Sequence, residues 1–244
     1  MSYQFDWSAF LATAGGEQTY LDWLLAGFKM TLALGLSSWL VALLIGSLLG
    51  VARTLPNRWL AGIAGLYVEV FRNIPLLVQL FIWFFVVPEL LPEKLGLMIK
   101  EWPAFLQQFI AAWLCLGLFT AARVCEQVRS GLNSIPQGQK CAALAIGLTL
   151  PQTYRYVLIP RAVRIILPPL TSEFLNIFKN SAVASTIGLL ELAAQGRQLV
   201  DYMARPYESF IAVTLLYMLI NISVMLLMRW LENKMRLPGY LGEQ

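Results

Sequence analysis

Residues 30–52 contain no charged side chain, and this run constrains the fold more than any other feature. A helix crossing the hydrocarbon core of a bilayer needs about 20 mostly apolar residues. Extended to 23–52, the run supplies a first span. Further spans are predicted at 60–87, at 103–122 between Glu101 and Arg123, and at 209–228 between Glu208 and Arg229. One more, at 165–190, is interrupted by Pro168, Pro169, Glu173 and Lys179. The uncharged stretch 141–154 is too short to span and reads as a buried or interfacial element. The expected fold is therefore an all-α integral membrane protein with about five transmembrane helices.

Composition agrees. Of 244 residues, 58% are hydrophobic and 13% charged, about half the charged fraction of a soluble domain. Three cysteines without close spacing and no histidine argue against a disulfide framework, a metal site or histidine-based catalysis. The first 22 residues carry Asp6, Glu17 and Asp22 and no basic residue, so no signal peptide is expected there. The net charge of +4 reads as a topology signal, with no nucleic-acid partner implied.

The basic residues divide unevenly. One side collects Arg53, Arg58, Arg123, Arg129, Lys140, Arg155, Arg161, Arg164, Arg229, Lys234 and Arg236; the other has Lys94, Lys100, Arg197 and Arg205. Basic loops stay cytoplasmic. This predicts an external N-terminal segment (1–22), a transmembrane domain (23–231) and a cytoplasmic tail (232–244).

The long loop 123–164 then lies on the cytoplasmic side. Residues 137–146 favour a helix, Gly147 can break it at positive φ, and Pro151 suits the first turn of a second short helix, which Pro160 is expected to end. Such a helix pair either packs on its own bundle or fits a groove on another protein. Its sequence GQKCAALAIG (138–147), followed by Ile159 and Pro160, resembles the "EAA" loop of ABC-importer permeases. The resemblance implies a type I ABC importer transmembrane domain whose loop, about 137–160, seats in a cleft of the ATPase. It assigns coupling to Gly138, Ala142, Ala143, Gly147 and Pro160. Cys141 stands where the family often has glutamate, which weakens any role for a loop carboxylate.

EVFRNIPLLVQ (69–79) and PPLTSEFLNIFKNSAVASTIG (168–188) are similar to polar amino acid permeases, and the run from Thr149 to Ser181 is most similar to glutamate/aspartate permeases. This implies import of an amino acid, glutamate or aspartate before glutamine or a basic one, across the bacterial inner membrane. The implied partners are an ABC ATPase dimer, a second homologous permease chain, a periplasmic amino-acid-binding protein and the lipid bilayer. No G-x-x-x-x-G-K-[ST] stretch is present, so no cofactor is expected here and ATP belongs to the ATPase. An ATPase-independent channel or secondary transporter is the alternative; a membrane enzyme has little support.

Lys29, Glu69, Arg72, Glu173 and Lys179 fall inside predicted spans, where a charge costs roughly 2.5–3.5 kcal/mol at mid-membrane. Lys29 is near enough to an end to snorkel. Glu69 and Arg72 have the spacing to pair on one helix face, with Pro75 kinking or starting a helix beyond them. Glu173 and Lys179, six residues apart, point to different faces. Lys179 precedes Asn180, Ser181, Ser185 and Thr186. This polar cluster either lines the translocation path or gate, together with Glu69, Arg72 and Glu173, or serves helix–helix hydrogen bonding.

Overall fold

The computed structural model describes residues 3–14 and 16–235; of the predicted tail, residues 236–244 lie outside the described residues. Regular structure among them is helical, apart from one isolated bridge between Thr13 and Thr19. A short 3₁₀ turn, Trp7–Leu11, precedes α1 (Tyr20–Ala52) and α2 (Arg58–Asn73). Then come α3 (Leu76–Phe81), a π turn (Ile82–Val86), α4 (Val87–Leu90), α5 (Glu93–Lys100), α6 (Ala104–Asn133), α7 (Gln137–Ala145) and α8 (Leu150–Thr153). A second π turn (Tyr154–Leu158) leads into α9 (Ile159–Ser181), and α10 (Leu192–Met203) and α11 (Pro206–Met235) follow.

Among the described residues, α1, α6 and α11 are long and apolar enough to cross a membrane, with a fourth crossing if α2 and the stretch from Leu76 to Leu90 form one broken span. Their exposed surface is that of a protein in lipid. Leu36, Leu40, Leu44 and Leu48, spaced by four on α1, are 47%, 68%, 64% and 64% exposed.

The second predicted span is not one helix. Pro75 has no N–H and disfavours helical backbone at Ile74. α2 therefore stops at Asn73, and Pro75 caps α3 with extended ψ. The fourth predicted span also differs. α9 starts at Ile159 and ends at Ser181, tightening into a 3₁₀ turn closed by Gly188 at φ +89°. Pro160 does not end a helix as expected; it is the second residue of α9. Both π turns end two residues before a proline, at Val86 before Pro88 and at Leu158 before Pro160. Proline removes a helical hydrogen bond and crowds the carbonyl four residues back, and the wider turn accommodates it.

The chain forms two compact units: the first takes the N-terminus to Leu40, 74–118 and 176–222, the second 41–73, 119–175 and the segment from Ser223 onward. The first unit has a core of Phe10, Leu24, Leu192, Leu199 and Val213. Gly27 lets α1 approach α10: a Cβ there would lie 2.7 Å from Gln195 Cγ. In the second unit Gly46 and Gly50 seat α1 on α6, where added Cβ atoms would meet Val124 and Val128 at 2.6 Å each. Small residues four apart allow this backbone approach in lipid.

Candidate functional site

The loop after α6 belongs wholly to the second unit. α7 ends in a Schellman motif: Leu148 N–H donates to Ala143 O (3.2 Å) and Gly147 N–H to Leu144 O (3.0 Å), with Gly147 at φ +90°. That pattern needs a left-handed residue just past the helix, which glycine adopts at least cost. Thr149 and Gln152 then form a capping box opening α8, with Pro151 in its first turn.

The loop has two faces. Ala143, Thr153, Tyr154 and Leu158 are buried, while Leu144, Ile146 and Tyr156 are 43%, 79% and 62% exposed. Of the residues assigned to coupling, Gly138, Ala142, Gly147 and Pro160 are exposed and Ala143 is packed inside. The Tyr154 hydroxyl donates to Thr54 O at 2.8 Å, just past the end of α1. Arg53 is bonded to the Glu126 carboxylate on α6, which Arg129 also reaches at 2.8 Å. The loop is thus fastened beside a charged cluster joining α1 to α6. In sequence Arg53 and Arg129 read only as topology signals; their shared carboxylate requires α1 and α6 to be paired first.

Glu69 and Arg72 are both exposed on α2, and no ion pair joins them. Glu173 is buried, and Arg123 Nη1 lies 3.8 Å from its Oε2. That separation is a charge contact and too long for a hydrogen bond. Oε2 has no hydrogen-bond partner. Arg123 also lies over the Phe119 ring at 4.9 Å. Arg123 marks only a span end in the sequence, so its place beside Glu173 had no local signal.

Lys179 is exposed in the last turn of α9. Asn180 borders a small void with Leu76, Leu80, Ala112, Cys115, Val183 and Ala184. Ser181 is fully buried, and its hydroxyl donates to Phe178 O at 2.7 Å. Another carboxylate, Glu191, is completely buried and caps α10. It accepts from the Ala193 and Ala194 N–H groups (3.0 and 2.8 Å) and from the Tyr217 hydroxyl (2.8 Å). Its acceptor sites are consumed in holding helices together.

The family model for "binding-protein-dependent transport system inner membrane component" matches residues 42–237. The chain is 57% identical over 244 residues to the glutamate/aspartate import permease protein GltJ of Escherichia coli (strain K12), covering 99% of each. It is 29% identical to the glutamate/aspartate import permease protein GltK of Escherichia coli O6:H1, covering 95% of this chain and 99% of that one. A crystal structure of an amino acid ABC transporter with histidines superposes with a TM-score of 0.72 at 29% identity, covering 88% of this chain and 95% of that chain.

Proposed function

The chain belongs to the family of binding-protein-dependent transport system inner membrane components, and from that premise we propose that it is the permease subunit of an ATP-driven importer of glutamate and aspartate. The observation that carries the reading is the full-length 57% identity to a glutamate/aspartate import permease. The chain is a multi-pass inner-membrane transport component and not itself an enzyme. ATP hydrolysis then falls to a separate ATPase dimer. A periplasmic amino-acid-binding protein delivers substrate, and a second permease chain related to this one completes the pathway.

In this reading the N-terminus is periplasmic and the C-terminus cytoplasmic, following the basic-residue asymmetry. Positions 140 and 155 face the cytoplasm and 94 and 197 the outside. The exposed apolar face of the loop, Leu144, Ile146 and Tyr156, is the surface offered to the ATPase. A solvated loop gains nothing from exposing such side chains, whereas a groove on a partner buries them.

Lys179 supplies a cation along the route. It is exposed in the last turn of α9, and an ammonium held at membrane depth requires water, a partner or the substrate nearby. A dicarboxylate amino acid is anionic at neutral pH and is drawn to it, weakly enough to leave. Glu173 with Arg123, and Glu69 with Arg72, belong to the same path or gate, and Asn180 and Ser181 shape the helix end around it. The test is ATP-driven uptake in proteoliposomes holding both permeases and the ATPase, with binding protein outside. Glutamate and aspartate should be accumulated and should compete with one another. Uptake of neutral or basic amino acids alone would overturn the substrate, and uptake without the ATPase would overturn the mechanism.

A further inference from the structure

The N-terminal segment is held by polar contacts to the corner between α10 and α11, and of its rings Phe10 turns into the core. The Tyr3 hydroxyl donates to the Glu208 carboxylate, the Asp6 N–H donates to Glu208 Oε1 at 2.9 Å, and Glu208 is completely buried. Arg205 donates to Gln4 O at 3.0 Å and stands 3.8 Å from Asp6. Large apolar side chains turn outward: Tyr3, Phe5, Trp7 and Leu11 are 42%, 56%, 48% and 67% exposed. The three rings form a continuous chain, Tyr3 edge-on to Tyr207 at 4.6 Å and to Phe5 at 5.1 Å, with Phe5 stacked on Trp7 at 6.3 Å. In water such a row of exposed apolar side chains costs free energy, a cost that lipid removes.

The outward face continues into the membrane. Tyr207 lies in the first turn of α11, whose next turns expose Phe210, Ile211 and Leu215 along a shallow open groove of about 520 Å³. The rings therefore sit level with the start of a span, the depth at which tryptophan and tyrosine collect in membrane proteins. Arg205 offsets part of the charge of Asp6 and Glu208, standing 3.8 Å from the one and 3.9 Å from the other.

We propose that residues 3–11 form an interfacial anchor, lying in the headgroup and upper acyl region of the bilayer with Phe5, Trp7 and Leu11 toward lipid, and clamped to the α10–α11 corner through Glu208 and Arg205. The inference rests on the membrane placement above and not on the substrate. The anchor fixes the corner that also holds Val213 against Gly196 and Tyr217 against Glu191.

The assembled transporter in phospholipid nanodiscs tests this with a nitroxide at Trp7→Cys or, separately, at Leu11→Cys, each in a Cys141→Ser background; Cys115 and Cys125 are buried. Power saturation should show the label several-fold more accessible to oxygen than to a water-soluble nickel chelate, with or without binding protein. Greater access to nickel at both positions would place the segment in water and overturn the proposal. Shielding from both reagents, or shielding that arises only when binding protein is added, would assign the face to a protein partner and equally overturn it. ATP-driven uptake by the same labelled complexes reports separately on the transport reading.

Discussion

The Tyr154 hydroxyl donates to the Thr54 carbonyl at 2.8 Å, linking the loop after α6 to the chain just past α1. Tyr154 is buried and its ring packs within the second unit. Tyr154→Phe keeps the ring and removes the bond, at a cost of about 1 kcal/mol. The chain should insert and assemble normally. Substrate-stimulated ATP hydrolysis should fall more than basal hydrolysis, because the proposed coupling to the ATPase runs through this loop. An unchanged ratio of stimulated to basal hydrolysis would remove this bond from the coupling route.

Gly147 separates backbone strain from crowding. Nothing lies within 4 Å of a Cβ placed there, so the only obstacle to alanine is the left-handed backbone, about 1–2 kcal/mol. Gly147→Ala should weaken coupling moderately and Gly147→Val severely, since a β-branched residue tolerates positive φ least. Both variants should reach the membrane. Full transport by Gly147→Val, measured as uptake per ATP hydrolysed, would contradict the placement of this turn at the ATPase joint.

Two other glycines should respond in opposite directions. A Cβ at Gly50 would lie 2.6 Å from Val128 Cβ and 2.9 Å from the Cys125 carbonyl. Gly50→Val should therefore push α1 from α6 and destabilise the chain by about 1–3 kcal/mol. Gly65, on α2, has nothing within 4 Å, and Gly65→Ala should stabilise its helix by up to about 1 kcal/mol. Thermal denaturation of the purified protein in detergent reads both signs.

Lys179→Met keeps the length of the side chain and removes its charge. Glutamate uptake should fall sharply while assembly with the second permease and the ATPase persists. Loss of the assembled complex would instead identify Lys179 as a structural partner of a carboxylate on the neighbouring chain. Undiminished uptake by an intact complex would remove Lys179 from the path.

Local rules made much of this legible. Helix propensity, Gly147 and Pro151 located α7, the Schellman turn and α8 nearly to the residue, because each acts within a turn of itself. Pro160 misled because a π turn running directly into α9 accommodates its missing N–H, and nothing in the sequence announces that turn. α10 was hidden in a stretch of mixed polarity, whose start is set by Glu191 capping it and by Tyr217 from a distant helix. The candidate charges illustrate the same limit. Glu69 and Arg72 had the right spacing and do not pair, whereas Glu173 meets Arg123, fifty residues earlier in the chain. Spacing shows which groups share a face; only packing of the helices decides which of them meet.

The most direct test of the central claim is accumulation of labelled glutamate by proteoliposomes containing this chain, its second permease and the ATPase, with binding protein outside and ATP within. The account predicts accumulation that requires ATP hydrolysis, is abolished when the ATPase is omitted, and is competed by aspartate. Glutamate flux that persists without the ATPase, or ATP-driven uptake that ignores both acidic amino acids, would contradict it.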